Sequence, residues 1–164
     1  MQSRGVAHLA GESCVTDGRP LRVLIAEDDL MIADSIEEIL VEAGYEVCGI
    51  ARTVAEAVTL GRRHLPDLAI IDCRLADEGL GTDVAAQLVD LKDLGILYAT
   101  GNISSVTLKA ARGQACLAKP YTAAELVRAL EIVAEIVATG LVSRPIPSGL
   151  QVLASATPET RAYG

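Results

Sequence analysis

The sequence predicts an α/β fold on a parallel sheet, and three observations carry that expectation. Five short apolar runs alternate with stretches that have a helical hydrophobic period. Helix starts are marked by capping residues and several stops by glycine. Finally, an acidic cluster at Glu27-Asp28-Asp29, a lone Asp72 and a Lys119-Pro120 pair each follow one of the apolar runs. In a parallel sheet all three would emerge at the same carboxyl edge, where open α/β sheets bind ligands.

Residues 1–19 are rich in small residues and lack a period, so they are expected to form a flexible leader. Arg22-Val23-Leu24-Ile25-Ala26 is the first strand. Asp29 caps a helix whose Leu30, Ala33, Ile36, Leu40 and Ala43 share one face, and Gly44 ends it. Glu46 to Ala51 is the second strand, and Thr53-Val54-Ala55-Glu56 is a capping box opening a helix to about His64. Pro66-Asp67 turns into the third strand, Leu68 to Ile71, which delivers Asp72. A loop from Arg74 to Gly81 leads to a helix expected from Thr82 through Leu91. Gly95 to Ala99 is the fourth strand, ending at Thr100-Gly101. Ile103 to Arg112 is expected to be helical, and Gln114 to Ala118 is the fifth strand. Thr122-Ala123-Ala124-Glu125 is a second capping box, opening a helix that stops at Gly140.

Strands and helices in alternation imply helices on both faces. Right-handed crossovers then give a flavodoxin-like, doubly wound five-stranded parallel sheet of order 2-1-3-4-5. The expected division is a leader at 1–19, one domain over 20–140 and a tail at 141–164 without an output domain. The tail holds Pro145, Pro147 and Pro158 and an apolar patch at Leu150, Val152 and Leu153.

The 164 residues carry 14 Lys and Arg against 22 Asp and Glu, a net charge of −8. Such an acidic chain lacks the cationic surface that nucleic acids or anionic membranes require. No apolar stretch reaches the roughly 18 residues of a membrane span, and Met1 to Arg19 has no apolar signal segment. A cytoplasmic protein is the expectation. Cys14, Cys48, Cys73 and Cys116 show no C-x-x-C spacing, as befits reduced thiols. With four Tyr and no Phe or Trp, aliphatic side chains must do nearly all the packing.

Two carboxylates, a third between them and a lysine describe a site for a divalent cation and a phosphoryl group. A carboxylate attacks phosphorus poorly unless the phosphoryl charge is neutralised, and Mg²⁺ bound by one or two carboxylates does this. Glu27 and Asp28 would form the acidic pocket, while Asp29 serves mainly as a cap. Thr100 offers a hydroxyl at a strand end, and Lys119 a compact ammonium. A cis peptide fits before Pro120.

This constellation, across residues 21–139, resembles the receiver domain of two-component response regulators (CheY-like). The resemblance implies that Asp72 is the phosphoacceptor and that Glu27, Asp28, Asp72 and the backbone carbonyl of Arg74 hold Mg²⁺ or another divalent cation. It implies that Thr100 and Lys119 are the conserved hydroxyl and lysine. It further implies a non-enzymatic response regulator. A sensor histidine kinase or phosphotransfer protein would supply the phosphoryl group, and a downstream protein target would be read through interaction. Two departures stand out: Ala76 replaces the usual proline, with Gly79 and Gly81 astride the usual glycine position. Cys116 stands where many receivers carry a Tyr or Phe switch. With Tyr98-Ala99-Thr100-Gly101, these departures resemble the alphaproteobacterial FATGUY subfamily.

Two rivals compete. Haloacid-dehalogenase phosphatases place a second acid two residues after the nucleophile, where this chain has Arg74. A phosphorylation-independent pseudo-receiver would need none of Glu27, Asp28, Asp72, Thr100 and Lys119. Two further expectations concern surfaces and switching. On the last helix Leu126, Leu130, Val133 and Val137 should face the sheet, and Arg128, Glu131 and Glu135 share a polar face. The apolar arc is roughly 240°, against the roughly 100° one packed face requires. A homodimer through the 122–139 helix, or coverage by Leu150 to Leu153, would use the surplus. Tyr98 shares a strand face with Thr100 and either replaces the missing aromatic switch or packs the core.

Overall fold

The computed structural model describes residues 15–16, 18–103 and 112–153. Two two-residue strands, β1 (Val15–Thr16) and β2 (Arg19–Pro20), pair antiparallel as a small ladder before the main sheet. That sheet contains β3 (Arg22–Ala26), β4 (Glu46–Ala51), β5 (Leu68–Asp72), β6 (Gly95–Thr100), β7 (Ala115–Ala118) and β8 (Leu150–Val152). Their spatial order is β4-β3-β5-β6-β7-β8. The first five are parallel and follow the doubly wound order expected from sequence. The sixth is new: β8, from the tail, runs antiparallel to β7 in the register Ala115↔Val152 to Leu117↔Leu150. Its three residues are too short a run to announce a strand, and only the exposed edge of β7 gives them a partner.

Side-chain alternation along the strands feeds two cores, one per face. Val23, Ile25, Leu68, Ile70, Leu97 and Leu117 pack with the helices α1 (Leu30–Glu42) and α4 (Ala123–Thr139). Leu24, Ala26, Ala69, Ile71, Ile96 and Tyr98 pack on the other face with α2 (Val54–His64) and α3 (Gly81–Gln87). Burial on both faces is why the strands read as continuous apolar runs.

Capping explains where the helices begin. The Asp29 carboxylate accepts the amides of Met31 and Ile32 at 2.9 and 3.3 Å, and the Thr122–Glu125 capping box is complete in both directions. At α2 the box is only half formed. Thr53 accepts the Glu56 amide at 3.1 Å, but the Glu56 carboxylate reaches one residue further back, to the Arg52 amide at 2.8 Å. The third helix is shorter than its sequence suggested, stopping at Gln87 rather than Leu91. Arg62 of α2 donates to the Gln87 carbonyl at 2.7 Å and pairs with the Asp90 carboxylate at 2.9 Å. Past the helix end the Leu91 N–H donates to the Leu88 carbonyl in a tight turn. The helix expected over 103–112 falls largely on residues 104–111, outside the described residues.

The last helix buries more than the expected stripe. Leu126, Leu130 and Val133 face the core, and so do Ala129, Ile132 and Ile136, whereas Val137 is only half-buried. Glu131, assigned to a polar face, is 6% exposed. The tail explains this: Arg144 crosses the helix and lies 3.3 Å from Glu131, covering what would otherwise be solvated. No helix among the described residues is long and apolar enough to cross a membrane.

Candidate functional site

Three strand ends converge at the carboxyl edge. Glu27 directly follows β3, Asp72 ends β5 and Lys119 directly follows β7. Carboxylate oxygens of Glu27, Asp28 and Asp72 lie within 4.8 Å of one another. Lys119 Nζ is 2.7 Å from Asp72 Oδ2 and 3.6 Å from Glu27 Oε2. The other Asp72 oxygen, Oδ1, accepts the Arg74 amide at 3.0 Å, so both oxygens are oriented before any ligand arrives. The Lys119–Pro120 peptide is cis, and the Lys119 amide donates to the Thr100 carbonyl at 2.9 Å.

Electrostatics reveal crowding. Burial raises Glu27, and a hydrogen bond with Asp72 raises it further, to about 7. Burial also acts to raise Asp72, but hydrogen bonds from Glu27, the Arg74 amide and Lys119 outweigh it, leaving its carboxyl below the ordinary value. Burial acts against the Lys119 ammonium as well, and the Asp72 hydrogen bond and charge overcome it, so its pKa is raised. The two neighbouring carboxyls are thus driven apart, Glu27 toward its protonated form and Asp72 toward its ionised one. A divalent cation would relieve the same crowding without protonation, and three hard carboxylate oxygens suit Mg²⁺ chemistry.

Asp72 opens on a cleft also lined by Asp28, Arg74, Glu78, Thr82, Thr100 and Asn102. Thr100 is 6% exposed, and its Oγ1 accepts the Asn102 amide at 3.1 Å. A side chain added at Gly101 would meet nothing within 4 Å, so space rather than packing surrounds this strand end. The loop after Asp72 is tied by an Arg74↔Leu80 bridge and by the Leu75 amide on the Gly79 carbonyl at 2.8 Å. Gly81 carries the tightest constraint. A Cβ there would lie 2.2 Å from the Asp72 carbonyl oxygen, so only glycine lets α3 start against the acidic residue.

Every candidate side chain expected from sequence thus stands at one edge, and Arg74 is beside it. Glu78 and Thr82 were missed. Thr82 lines the cleft from the first turn of α3, and Glu78 from a loop in which Asp77 and Glu78 both adopt left-handed backbone, φ 59° and 58°, which non-glycine residues seldom do.

The model of the response regulator receiver domain matches residues 23–131. The chain belongs to the response regulator receiver family. Among relatives of this receiver, the transcriptional regulatory protein PdtaR of Mycobacterium tuberculosis is 35% identical over 116 residues, 69% of this chain and 56% of PdtaR. The chain thus spans little more than half of that relative's length. The chemotaxis protein CheY of Bacillus subtilis is 27% identical over 66% of this chain and 93% of its own length. Among solved structures, the receiver domain of a modulated diguanylate cyclase from Desulfovibrio desulfuricans superposes with a TM-score of 0.64 at 30% identity. That match covers 72% of this chain and 96% of the other.

Proposed function

We propose that this receiver accepts one phosphoryl group on Asp72 from a histidine kinase or phosphotransfer protein and signals through a phosphorylation-dependent protein contact. The single observation that carries the reading is the Asp72 carboxylate itself, held by Lys119 at 2.7 Å and by the Arg74 amide at 3.0 Å beside two further acids. An Asp72 oxygen attacks phosphorus, the bond from phosphorus to the donor's leaving group breaks, and the product is an acyl phosphate. The leaving group takes up a proton from water.

Glu27, Asp28, Asp72 and the Arg74 carbonyl would hold Mg²⁺, which neutralises phosphoryl charge when bound. Lys119 keeps Asp72 ionised and is placed to pair with a phosphoryl oxygen as the attack proceeds. The Thr100 hydroxyl, now turned to Asn102, lines the same cleft and would donate to another phosphoryl oxygen. Such a regulator accumulates its modified form and is not a turnover enzyme. PdtaR and CheY, named as regulatory and chemotaxis proteins, are in keeping with a signalling role.

Incubation with acetyl phosphate, with and without Mg²⁺, tests the reading by intact mass. Wild type is expected to gain one phosphoryl group only with the cation, and Lys119→Met to gain it far more slowly. A chain that stays unmodified under all conditions would favour the pseudo-receiver reading.

A further inference from the structure

Residues 141–153 are held to the body of the molecule at two places. At the first, Arg144 sits in a notch on α4, with Nη1 3.3 Å from Glu131 Oε2 and Nε 3.7 Å from Glu135 Oε2. At the second, β8 closes the edge of β7: the Ala118 amide donates to Gly149 at 2.8 Å, and the Leu153 amide donates to Gln114 at 3.0 Å. Leu150 and Leu153 are buried on opposite faces of the sheet, 7% and 3% exposed. Between Arg144 and Leu150 nothing is buried. The segment is therefore a strap with two clasps rather than a continuous packed element.

A sheet edge accepts any extended chain through its backbone groups, and side-chain pockets supply selectivity. Here the pockets are two carboxylates that take a guanidinium and one leucine site on each face. We propose that the β7 edge and the Glu131–Glu135 notch form a strand-addition site, with residues 141–153 as its built-in occupant. Its partner is an extended segment of another protein with the same pattern: an arginine, a leucine six residues later and a second leucine three beyond it. The net charge of −8 favours such a basic segment over an acidic one. The strap competes at high effective concentration, so the site opens only to a partner that outcompetes it or when the strap is released. The inference does not rest on phosphorylation of Asp72, and its test uses no phosphodonor.

The probe is a fluorescent synthetic peptide of residues 141–153, titrated by anisotropy against the full chain. Wild type should bind it at least tenfold more weakly than a full chain with the strap loosened by Leu150→Asp and Leu153→Asp. Adding Glu131→Gln and Glu135→Gln to the loosened chain should weaken binding at least tenfold again. A folded, loosened chain that ignores the peptide, or one indifferent to the two Gln changes, overturns the proposal. Native-state hydrogen exchange of wild type provides a second arm should the loosened chain fail to fold. The Ala118 and Leu153 amides should exchange faster than global unfolding allows, while those of Leu24 and Ile25 should not. Exchange of all four only with global unfolding would make the strap a fixed part of the core and overturn the proposal. A wild-type dimer in light scattering that the peptide dissociates would name a second copy as the occupant and overturn the claim of a foreign partner.

Discussion

Replacing Glu27 with Gln probes the crowding at the acidic site most sharply. Glu27 is 3% exposed, and its carboxyl is raised from 4.5 to about 7, first by burial and then by its hydrogen bond with Asp72. A raised carboxyl favours the protonated form. The stability it contributes is fully present below about pH 4.5 and is lost as pH rises through 7. At 1.36 kcal/mol per unit, ionising Glu27 in the fold costs at most about 3.4 kcal/mol. Gln keeps the shape and the donor without the charge. Without divalent cation, Glu27→Gln should therefore be more stable than wild type by at most about 3.4 kcal/mol at pH 8, and by less than about 1 kcal/mol at pH 5. Urea denaturation in EDTA at both pH values measures this. Millimolar Mg²⁺ should raise the stability of wild type and leave the variant nearly unchanged, because binding to the folded state alone stabilises it. A variant no more stable than wild type at pH 8 in EDTA would refute the reasoning, since Glu27 would then not be a crowded carboxylate.

Three other substitutions test single contacts. Gly81→Ala places a Cβ 2.2 Å from the Asp72 carbonyl; it should cost about 3 kcal/mol or more by urea denaturation and slow phosphoryl uptake by displacing Asp72. Tyr98→Phe removes the hydroxyl that donates to the Arg112 carbonyl at 2.6 Å; a loss of about 1–2 kcal/mol is expected in thermal unfolding, with phosphoryl uptake unchanged. Thr122→Ala breaks the capping box of α4 and should lower stability by about 1 kcal/mol with no effect on Mg²⁺ affinity.

The parallel sheet was legible because β3, β5, β6 and β7 are buried on both faces and read as apolar runs, while the edge strand β4 keeps an exposed Glu46 and only Ala51 fully buried. Glu27, Asp72 and Lys119 could be placed at one edge for the same reason: each follows such a run. What the sequence concealed depends on contacts distant along the chain. α3 ends at Gln87, where Arg62 from another helix donates to its carbonyl. Glu131 reads as a surface acid until Arg144 folds over it. β8 exists only because β7 offers an edge. Glu78 enters the cleft through two left-handed residues that carry no compositional mark. Tyr98, read either as relay or as core, is fully buried with its ring against Gly113, whose φ of 127° and missing Cβ make room for it.

The central claim is that Asp72 is the phosphoacceptor, and chemical trapping tests it most directly. The protein is treated with Mg²⁺ and acetyl phosphate, reduced with borohydride and digested, and the peptide spanning residue 72 is sequenced by mass. The account predicts conversion of Asp72 to homoserine in wild type, none when Mg²⁺ is withheld, and none at Glu27 or Asp28 under any condition. Reduction at another carboxylate, or at no residue in a chain that has gained a phosphoryl group, would contradict it.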